Sequence, residues 1–452
     1  DYVLFSVGTG TSMATTPVLV WDGSIPGNYL NYSLLKVGNN VVLHYSSSIA
    51  PLVSASVNPT SATRNQAVTV TANVTKGSGN IASVTVDLTQ IGGLATAGRV
   101  HDSASSSGPN FVYTNTFIVT ADTTLGDKSM TVVATDDSSP TPLTGTYIIT
   151  PLTIAPNALT WDGGASDDKW TSNTNWAGDI GPGFIGDSIT FAGTTRLTPD
   201  MDNNYSVLGV IFDGTAGAFT IGSSAGGTLT NGSGGIINNS SSAQTLNVPV
   251  VLSAAQTFYA AGDLAFNSSV RLAGNTLTVD GSANTSIGGL ISGTGGLTKN
   301  GGGVLTLPNA NVFSGTMNLA AGTLAVGNDS ALGTGQLNFG DGATIQSADS
   351  STHVITNALN FGSGAGGNNF FAGTGNLVFT RSASNGSDKT LTVNNQTEFS
   401  GVLSGAMART VAGTGTLIFS GANTYSHGTT INPGATLQLG NGGTNGSLST
   451  SG

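Results

Sequence analysis

The feature that most constrains this chain is a repeat of about 20 residues in its second half. The segment GANTYSHGTTINPGATLQLGN at 421–441 repeats the residue order of NANVFSGTMNLAAGTLAVGN at 309–328. Both run from an asparagine through an aromatic residue, a glycine and apolar pairs to a closing Gly-Asn. Phenylalanines that recur at a nearly constant interval predict one aromatic side chain per coil: Phe339, Phe361, Phe379, Phe399 and Phe419.

From residue 157 onward, short apolar pairs and triplets are separated by Gly, Asn, Ser and Thr, as in NTLTVDG and GTLIFSG. A short repeat that contains only short strands is typical of a β-solenoid, in which each coil buries its inward side chains on its neighbours. The sequence therefore predicts an all-β protein with a right-handed parallel β-solenoid at 157–452. About 15 coils, at about 4.8 Å per paired strand, would make a rod on the order of 70 Å long.

Residues 51–156 have a different pattern, with longer and more evenly alternating strands such as AVTVTANVT at 67–75. Alternation with period 2 places every second side chain on one face of a strand. One such face is expected to hold Val68, Val70, Ala72 and Val74. Six or seven strands within about 100 residues predict an immunoglobulin-like β-sandwich.

The composition excludes several classes of function. Charged residues are 8% of the chain, against about 25% in ordinary soluble domains, so Ser, Thr, Asn and backbone must form the surface. A net charge of -11 with only 12 Lys and Arg argues against binding to nucleic acid or anionic lipid. No apolar run of about 18 residues is present, so no helical membrane insertion is expected within this segment.

The two repeat copies match position by position, with Asn311 and Phe313 in the first corresponding to Asn423 and Tyr425 in the second. They resemble the autotransporter-associated β-strand repeat of the passenger regions of bacterial surface proteins. This resemblance implies an extracellular protein on the surface of a Gram-negative-type bacterium.

Upstream, the segment at 159–193 resembles the stretch that opens such passenger regions. Its most distinctive residues are Trp161, Trp170, Asn175 and Trp176. We expect these tryptophans to form an N-terminal cap that closes the first coils against solvent. The alternative is a platform on which sugars stack.

Residues 1–50 resemble the closing strands that normally follow the last coil, whereas the sequence ends at SLSTSG without such strands. Either the sequence is one period of a longer tandem protein, or copies join head to tail, with 1–50 of one completing the solenoid of the next. The predicted domains are thus 1–50, 51–156 and 157–452. The predicted function is that of a structural repeat unit in an extracellular fibre or filament whose partners are further copies of itself.

The alternative function is an adhesin or carbohydrate-binding passenger, in which outward Asn, Thr and aromatic residues contact surface glycans. An enzyme of the polysaccharide-degrading kind would need acids about one coil apart. Asp329 and Asp349 have this spacing, but no basic partner is expected beside them. We therefore predict that the protein is not an enzyme and has no catalytic residues.

Calcium is the cofactor that the acidic loops favour, because hard carboxylate oxygens are its usual ligands. The candidates are Asp162, Asp167 and Asp168 in one loop, Asp200 and Asp202 in a second, and Asp136 and Asp137 in a third. None of them reproduces a recognised calcium-loop signature, so solvated turn acids are the preferred interpretation, and no cofactor is predicted. No other cofactor is expected.

Overall fold

The chain divides into two compact units, Asp1–Ala155 and Pro156–Gly452. The structure is a computed structural model that describes residues 2–6, 32–37, 40–45, 49–93, 98–99, 110–120, 122–138, 141–183, 185–362, 366–384 and 387–448. Much of the predicted closing segment at 1–50 lies outside the described residues, so its role stays a prediction.

The described part of the first unit is built from β-strands and one short 3-10 helix at Thr89–Ile91. Its strands are β1 (Tyr2–Ser6), β2 (Tyr32–Val37), β3 (Asn40–Tyr45), β4 (Leu52–Asn58), β5 (Ser61–Ala62), β6 (Ala67–Thr75), β7 (Ile81–Val86), β8 (Gly98–Arg99), β9 (Asn110–Ile118), β10 (Gly126–Asp136) and β11 (Thr144–Ile154). The first three form an antiparallel sheet in the order β1-β3-β2.

Two further sheets of this unit share one hydrophobic core. One has the order β4-β6-β9 and the other β5-β11-β10-β7-β8, and every pairing in them is antiparallel except that of β5 with β11. The predicted inward face of β6 is confirmed, since its alternate residues are at most 1% exposed: Val68, Val70, Ala72 and Val74. They pack in one cluster with residues of the other sheet such as Val132 and Leu152.

The second unit consists of short strands, with a 3-10 helix at Asn173–Asn175. Its strands are β12 (Ala158–Trp161), β13 (Ile185–Phe191), β14 (Tyr205–Phe212), β15 (Thr220–Ile221), β16 (Leu229–Asn238), β17 (Gln244–Leu246), β18 (Val250–Leu252), β19 (Gln256–Ala260), β20 (Leu264–Phe266), β21 (Val270–Arg271), β22 (Leu277–Gly281), β23 (Thr285–Ile287), β24 (Ile291–Ser292), β25 (Leu297–Lys299), β26 (Val304–Leu307), β27 (Met317–Leu319), β28 (Thr323–Val326), β29 (Leu337–Phe339), β30 (Thr344–Ser347), β31 (His353–Ile355), β32 (Leu359–Phe361), β33 (Gly367–Ala372), β34 (Leu377–Phe379), β35 (Ala383–Ser384), β36 (Lys389–Val393), β37 (Gln396–Phe399), β38 (Leu403–Ser404), β39 (Arg409–Ala412), β40 (Thr416–Phe419), β41 (Thr429–Ile431) and β42 (Thr436–Leu439).

These strands wind into a parallel β-solenoid, as the repeat predicts. The first sheet follows the order β12-β13-β14-β16-β19-β22-β25-β27-β29-β32-β35-β38, the second runs from β15 to β41, and the third is β31-β34-β37-β40-β42. The solenoid has about 12 turns, so the expected 15 was too many. Its turns differ in length, because Leu297 pairs with Met317 whereas Ala158 pairs with the more distant Ser188.

Most three-residue strands bury their first and third side chains and leave the middle one partly exposed, as in Leu337–Phe339. The buried side chains form one continuous cluster along the solenoid. Glycine is required where turns approach closely: Gly281 has a φ of 106°, and a Cβ there would lie 2.1 Å from the carbonyl oxygen of Ala260. The solenoid is therefore an aliphatic and aromatic core inside a polar backbone shell.

Each of the five periodic phenylalanines is at most 1% exposed. Phe339 and Phe361 lie in the first sheet, whereas Phe379, Phe399 and Phe419 lie in the third. The shortest interval of the series, from Phe361 to Phe379, spans the change from the first sheet to the third. In the first sheet, the strand after that of Phe361 is β35, where Ala383 pairs with Leu359. None of the helices in the described part of the chain has the length and apolar character needed to cross a membrane.

Candidate functional site

The three tryptophans of the first turn form a closed aromatic cluster. Trp161 and Trp170 each pack edge-on against Trp176, with ring centroids 5.3 and 5.7 Å apart. All three are 0% exposed, and the indole nitrogen of Trp176 donates to the carbonyl oxygen of Trp170 at 2.8 Å. Because no ring face reaches solvent, these tryptophans offer no surface on which a sugar could stack.

The acidic loop beside this cluster is held by hydrogen bonds from the protein itself. Asp162 accepts from the backbone nitrogen of Gly164, and Asp168 forms an ion pair with Arg196 at 2.7 Å. The Ser172 hydroxyl donates to Asp167, and this bond together with the backbone nitrogen of Lys169 lowers the pKa of the Asp167 carboxyl below its ordinary value. These carboxylates orient the loop.

The second acidic pair is bound in the same way. Burial raises the pKa of Asp136, but donors from Leu143 and Ser138 outweigh that effect and lower it overall. The side chain and backbone nitrogen of Asn80 lower the pKa of Asp137. Across the residues that the structure describes, no three acidic, histidine or cysteine side chains converge where they could hold a metal ion. Calcium binding stays the alternative interpretation of these loops.

The two repeat copies place a buried asparagine at the same corner of the solenoid. Asn311 accepts from the backbone nitrogen of Ile291 at 2.8 Å and donates to the carbonyl oxygen of Ala331 at 2.7 Å. One partner lies one turn before the asparagine and the other lies one turn after it. A single amide thus joins three successive turns.

Asn423 repeats this arrangement. It accepts from the backbone nitrogen of Leu403 at 2.9 Å and donates to the carbonyl oxygen of Ser447 at 2.9 Å. The aromatic residues two positions on, Phe313 and Tyr425, are at most 1% exposed and pack in the core. The residues that the repeats have in common therefore form interior contacts.

Asp329 and Asp349 have a basic partner, contrary to the expectation from sequence. The ring nitrogens of His353 lie 3.6 Å from the Asp329 carboxylate and 3.1 Å from that of Asp349. The histidine side chain is 7% exposed and the two carboxylates are more than half exposed. The turn that leads from Asp329 to His353 is long, because Asp329 also accepts a hydrogen bond from the backbone nitrogen of Val354, 25 residues away.

Buried cations are a feature that the sequence analysis missed. Lys389 has a fully buried side chain whose amine lies 2.5 Å from the carboxylate of Asp341. Burial lowers the pKa of Lys299, whose amine donates to the carbonyl oxygen of Gly301. Arg409 lies over the ring of Phe361 at 5.2 Å, and burial lowers its pKa to about 10, so it stays charged at neutral pH. The sequence signal for these buried cations was a Lys or Arg at a strand position that shares the inward face with the apolar side chains, as in KTLTV.

The outer face of the first sheet carries a ladder of polar side chains, which we call the outer ladder. Its six residues stand directly opposite one another on successive paired strands: Thr257, Thr278, Thr298, Asn318, Asn338 and Asn360. All six are partly exposed. The Asn338 amide donates to Asn318 at 2.7 Å, and Asn360 donates to Asn338 at 3.4 Å.

Two open cavities adjoin the outer ladder. A cavity of about 560 Å³ is lined by Thr257 and Thr278 together with Ser233 and Ile237. A second, of about 400 Å³, is lined by the ladder from Thr298 to Asn360 and by small neighbours such as Ala320. The sequence signal for this face was the polar middle residue of the triplets LTV, LTK, MNL and LNF, which the sequence analysis did not use.

Comparison with known proteins confirms the resemblance to autotransporter passengers. Residues 297–326 and 410–439 match the Passenger-associated-transport-repeat family. The chain is also 30% identical over 198 residues to the adhesin BmaC autotransporter of Brucella suis biovar 1 (strain 1330). That match covers 41% of this chain and 5% of the adhesin. No solved structure matches the chain. The repeats, the adhesin relative and the β-solenoid all fit an autotransporter passenger.

Proposed function

We propose that this chain is a segment of an extracellular passenger that acts as an adhesin on the surface of a Gram-negative bacterium. The observation that carries the proposal is the 30% identity to an autotransporter adhesin. The solenoid supports it, because a stack of turns with a buried core presents long, regular outer faces to the surroundings.

The polar contacts of the solenoid suit an exposed surface protein. Backbone ladders and neutral amides such as Asn311 hold the turns together. Neutral hydrogen bonds are less sensitive to ionic strength than exposed ion pairs are. A passenger held in this way keeps its shape over a wide range of external salt concentration.

An adherence assay tests the adhesin proposal. Beads coated with the full chain are compared with albumin-coated beads for retention on cultured host cells and on glycan-coated surfaces. We expect retention of the chain-coated beads that soluble chain competes away. Equal retention of both kinds of bead on every surface would overturn the proposal.

Assembly into a fibre is a second candidate function. A parallel solenoid extends when turns of the same register are added, and the constant spacing from Leu297 to Met317 to Leu337 has this regularity. Electron microscopy of the native material, with the chain mass measured under denaturing conditions, tests it. Filaments built from single-unit chains mean head-to-tail assembly, filaments of a much heavier chain mean tandem repeats, and isolated rods exclude a fibre.

The proposal extends to finer features of the fold and chemistry. We assign the two packed sheets of the first unit to the immunoglobulin-like class and a right-handed winding to the solenoid. The function is non-enzymatic and requires no cofactor. Asp329, His353 and Asp349 support the shape of a long turn, so replacing either aspartate should leave the products of any polysaccharide incubation unchanged.

A further inference from the structure

We propose that the outer ladder and its two cavities form one binding groove for a neutral, linear glycan. This inference rests on the proposed adhesin function and names its ligand class and contact surface. Four observations carry it: the register of the ladder, the adjacency of the two cavities, the absence of charge in their described lining and one outward aromatic ring.

The ladder gives the groove its direction. Its six residues lie on successive turns of one sheet, so they form a straight row along the solenoid. Paired strands are about 4.8 Å apart, which makes the row about 24 Å long. A row of equivalent groups at a constant spacing suits a ligand that is itself an extended chain of repeated units.

The two cavities are neighbours along this row. Thr278 lines the first cavity and Thr298 lines the second, and these two threonines stand directly opposite each other on neighbouring strands. Small residues form the side of the second cavity, including Ala320, Gly340 and Gly362. An extended ligand can therefore lie against the backbone over several turns.

The lining selects for neutral polar groups. Among the described residues that line the two cavities, none is charged. An amide nitrogen carries two hydrogens, and the ladder bond from Asn338 to Asn318 uses one of them. The hydroxyls and remaining amide hydrogens match sugar hydroxyls, which donate and accept in turn.

Charge next to the ladder disfavours anionic polymers. Asp280 is partly exposed on the same face and pairs with Tyr259 across neighbouring strands. Its carboxylate would repel sulfated or uronic acid chains but can accept hydrogen bonds from sugar hydroxyls. The net charge of -11 acts in the same direction.

Tyr259 provides an aromatic surface beside the first residue of the ladder. It lies two positions after Thr257 on β19, so both side chains point to the same face. Its ring is partly exposed, unlike the buried tryptophans of the first turn. Aromatic rings combine apolar area with a polar tip, and this makes them good partners for the apolar face of a sugar.

The test uses the full chain and an array of immobilised neutral and sulfated glycans, followed by titration calorimetry with soluble oligosaccharides of the best neutral hit. The variants are Asn338→Asp, which puts a charge into the ladder, and Tyr259→Ala. Matched controls are Gln346→Glu, an outward amide on the second sheet, and Tyr147→Ala, an exposed tyrosine of the first unit.

We expect binding to neutral chains that strengthens with chain length over several sugar units. Asn338→Asp and Tyr259→Ala should each weaken it at least tenfold, while both controls stay within twofold of the parent. Binding of sulfated chains only would overturn the groove. Binding of neutral chains that neither Asn338→Asp nor Tyr259→Ala changes would also overturn it. Circular dichroism and thermal unfolding of each variant verify that the fold is retained.

The same variants, coated on beads, separate this inference from the proposed function. If the chain mediates adherence and neither Asn338→Asp nor Tyr259→Ala reduces it, the adhesin proposal stands and the groove is wrong. If the chain mediates no adherence, the adhesin proposal fails whatever the array shows. If the chain binds a host protein in place of a glycan, and Asn338→Asp and Tyr259→Ala bind that protein as the parent does, this result counts against the groove.

Discussion

Asparagine serves two different purposes in two regions of the solenoid. At the buried corner, Asn311 is 3% exposed and bonds to backbone groups of the turns before and after it. On the outer face, Asn318 and Asn338 are partly exposed and bond mainly to each other. The inner amide is needed to satisfy buried backbone groups, whereas the outer amides retain hydrogen-bonding capacity that can be used for binding.

The largest effect is expected inside, at the ion pair of Lys389 with Asp341. Asp341→Ala leaves a fully buried ammonium without its carboxylate, which should destabilise the solenoid by about 3 kcal/mol. The control Lys389→Met removes the buried charge together with the pair and should cost much less. Urea unfolding followed by tryptophan fluorescence compares the two. Equal losses in both variants would mean that the buried charge adds no cost of its own when Asp341 is removed.

A smaller effect is expected at the half-exposed carboxylate of Asp349. The backbone nitrogen of Ser351 and the side chain of His353 lower its pKa below the ordinary value of 3.8. The unfolded chain therefore binds the proton more readily, and the stabilisation is present above about pH 4 and lost as the pH falls below it. Unfolding of the parent and of Asp349→Asn at pH 6, 4 and 3 checks this.

The difference in stability between these two proteins should be greatest at pH 6 and should shrink as the pH is lowered to 3. Asp280→Asn serves as the control, since Asp280 lies on the outer face. If the difference in stability between the parent and Asp349→Asn grew on acidification, the pKa of Asp349 would be shifted in the opposite direction. That result would contradict the assigned hydrogen bonds.

The smallest effects are expected along the outer ladder. Asn338 bonds to both neighbours in the row, whereas Asn360 bonds to one. Asn338→Ala and Asn360→Ala should each change the free energy of unfolding by about 0.5 kcal/mol or less, as is usual for exposed positions. The middle residue should be the more sensitive of the two. A loss several times larger at either position would mean that the ladder is structural.

Much of this architecture could be predicted from the sequence, because spacing and alternation are directly linked to stacking. The nearly constant spacing of the repeat predicted parallel turns, and AVTVTANVT predicted the buried face of β6 correctly. The two repeat copies also pointed to Asn311 and Asn423, although the sequence alone does not give their backbone partners.

Other features depend on turn lengths that the sequence does not reveal. His353 meets Asp329 only because the intervening turn is longer than the usual period of the repeat. The series of phenylalanines moves from the first sheet to the third between Phe361 and Phe379, because the third sheet begins at β31. The inward position of Lys389 can be seen in KTLTV, but its partner cannot, because Asp341 lies 48 residues away.

The most direct test makes the same substitution in both regions. Asn311→Ala and Asn318→Ala remove identical atoms from neighbouring parts of one turn, and their free energies of unfolding are measured by urea titration of the full chain. Asn311→Ala should lose about 2 kcal/mol, because it leaves two buried backbone groups without partners, while Asn318→Ala should lose about 0.5 kcal/mol or less. Equal losses at the two positions would contradict the division between an interior that holds the fold and an outer face that is open to binding.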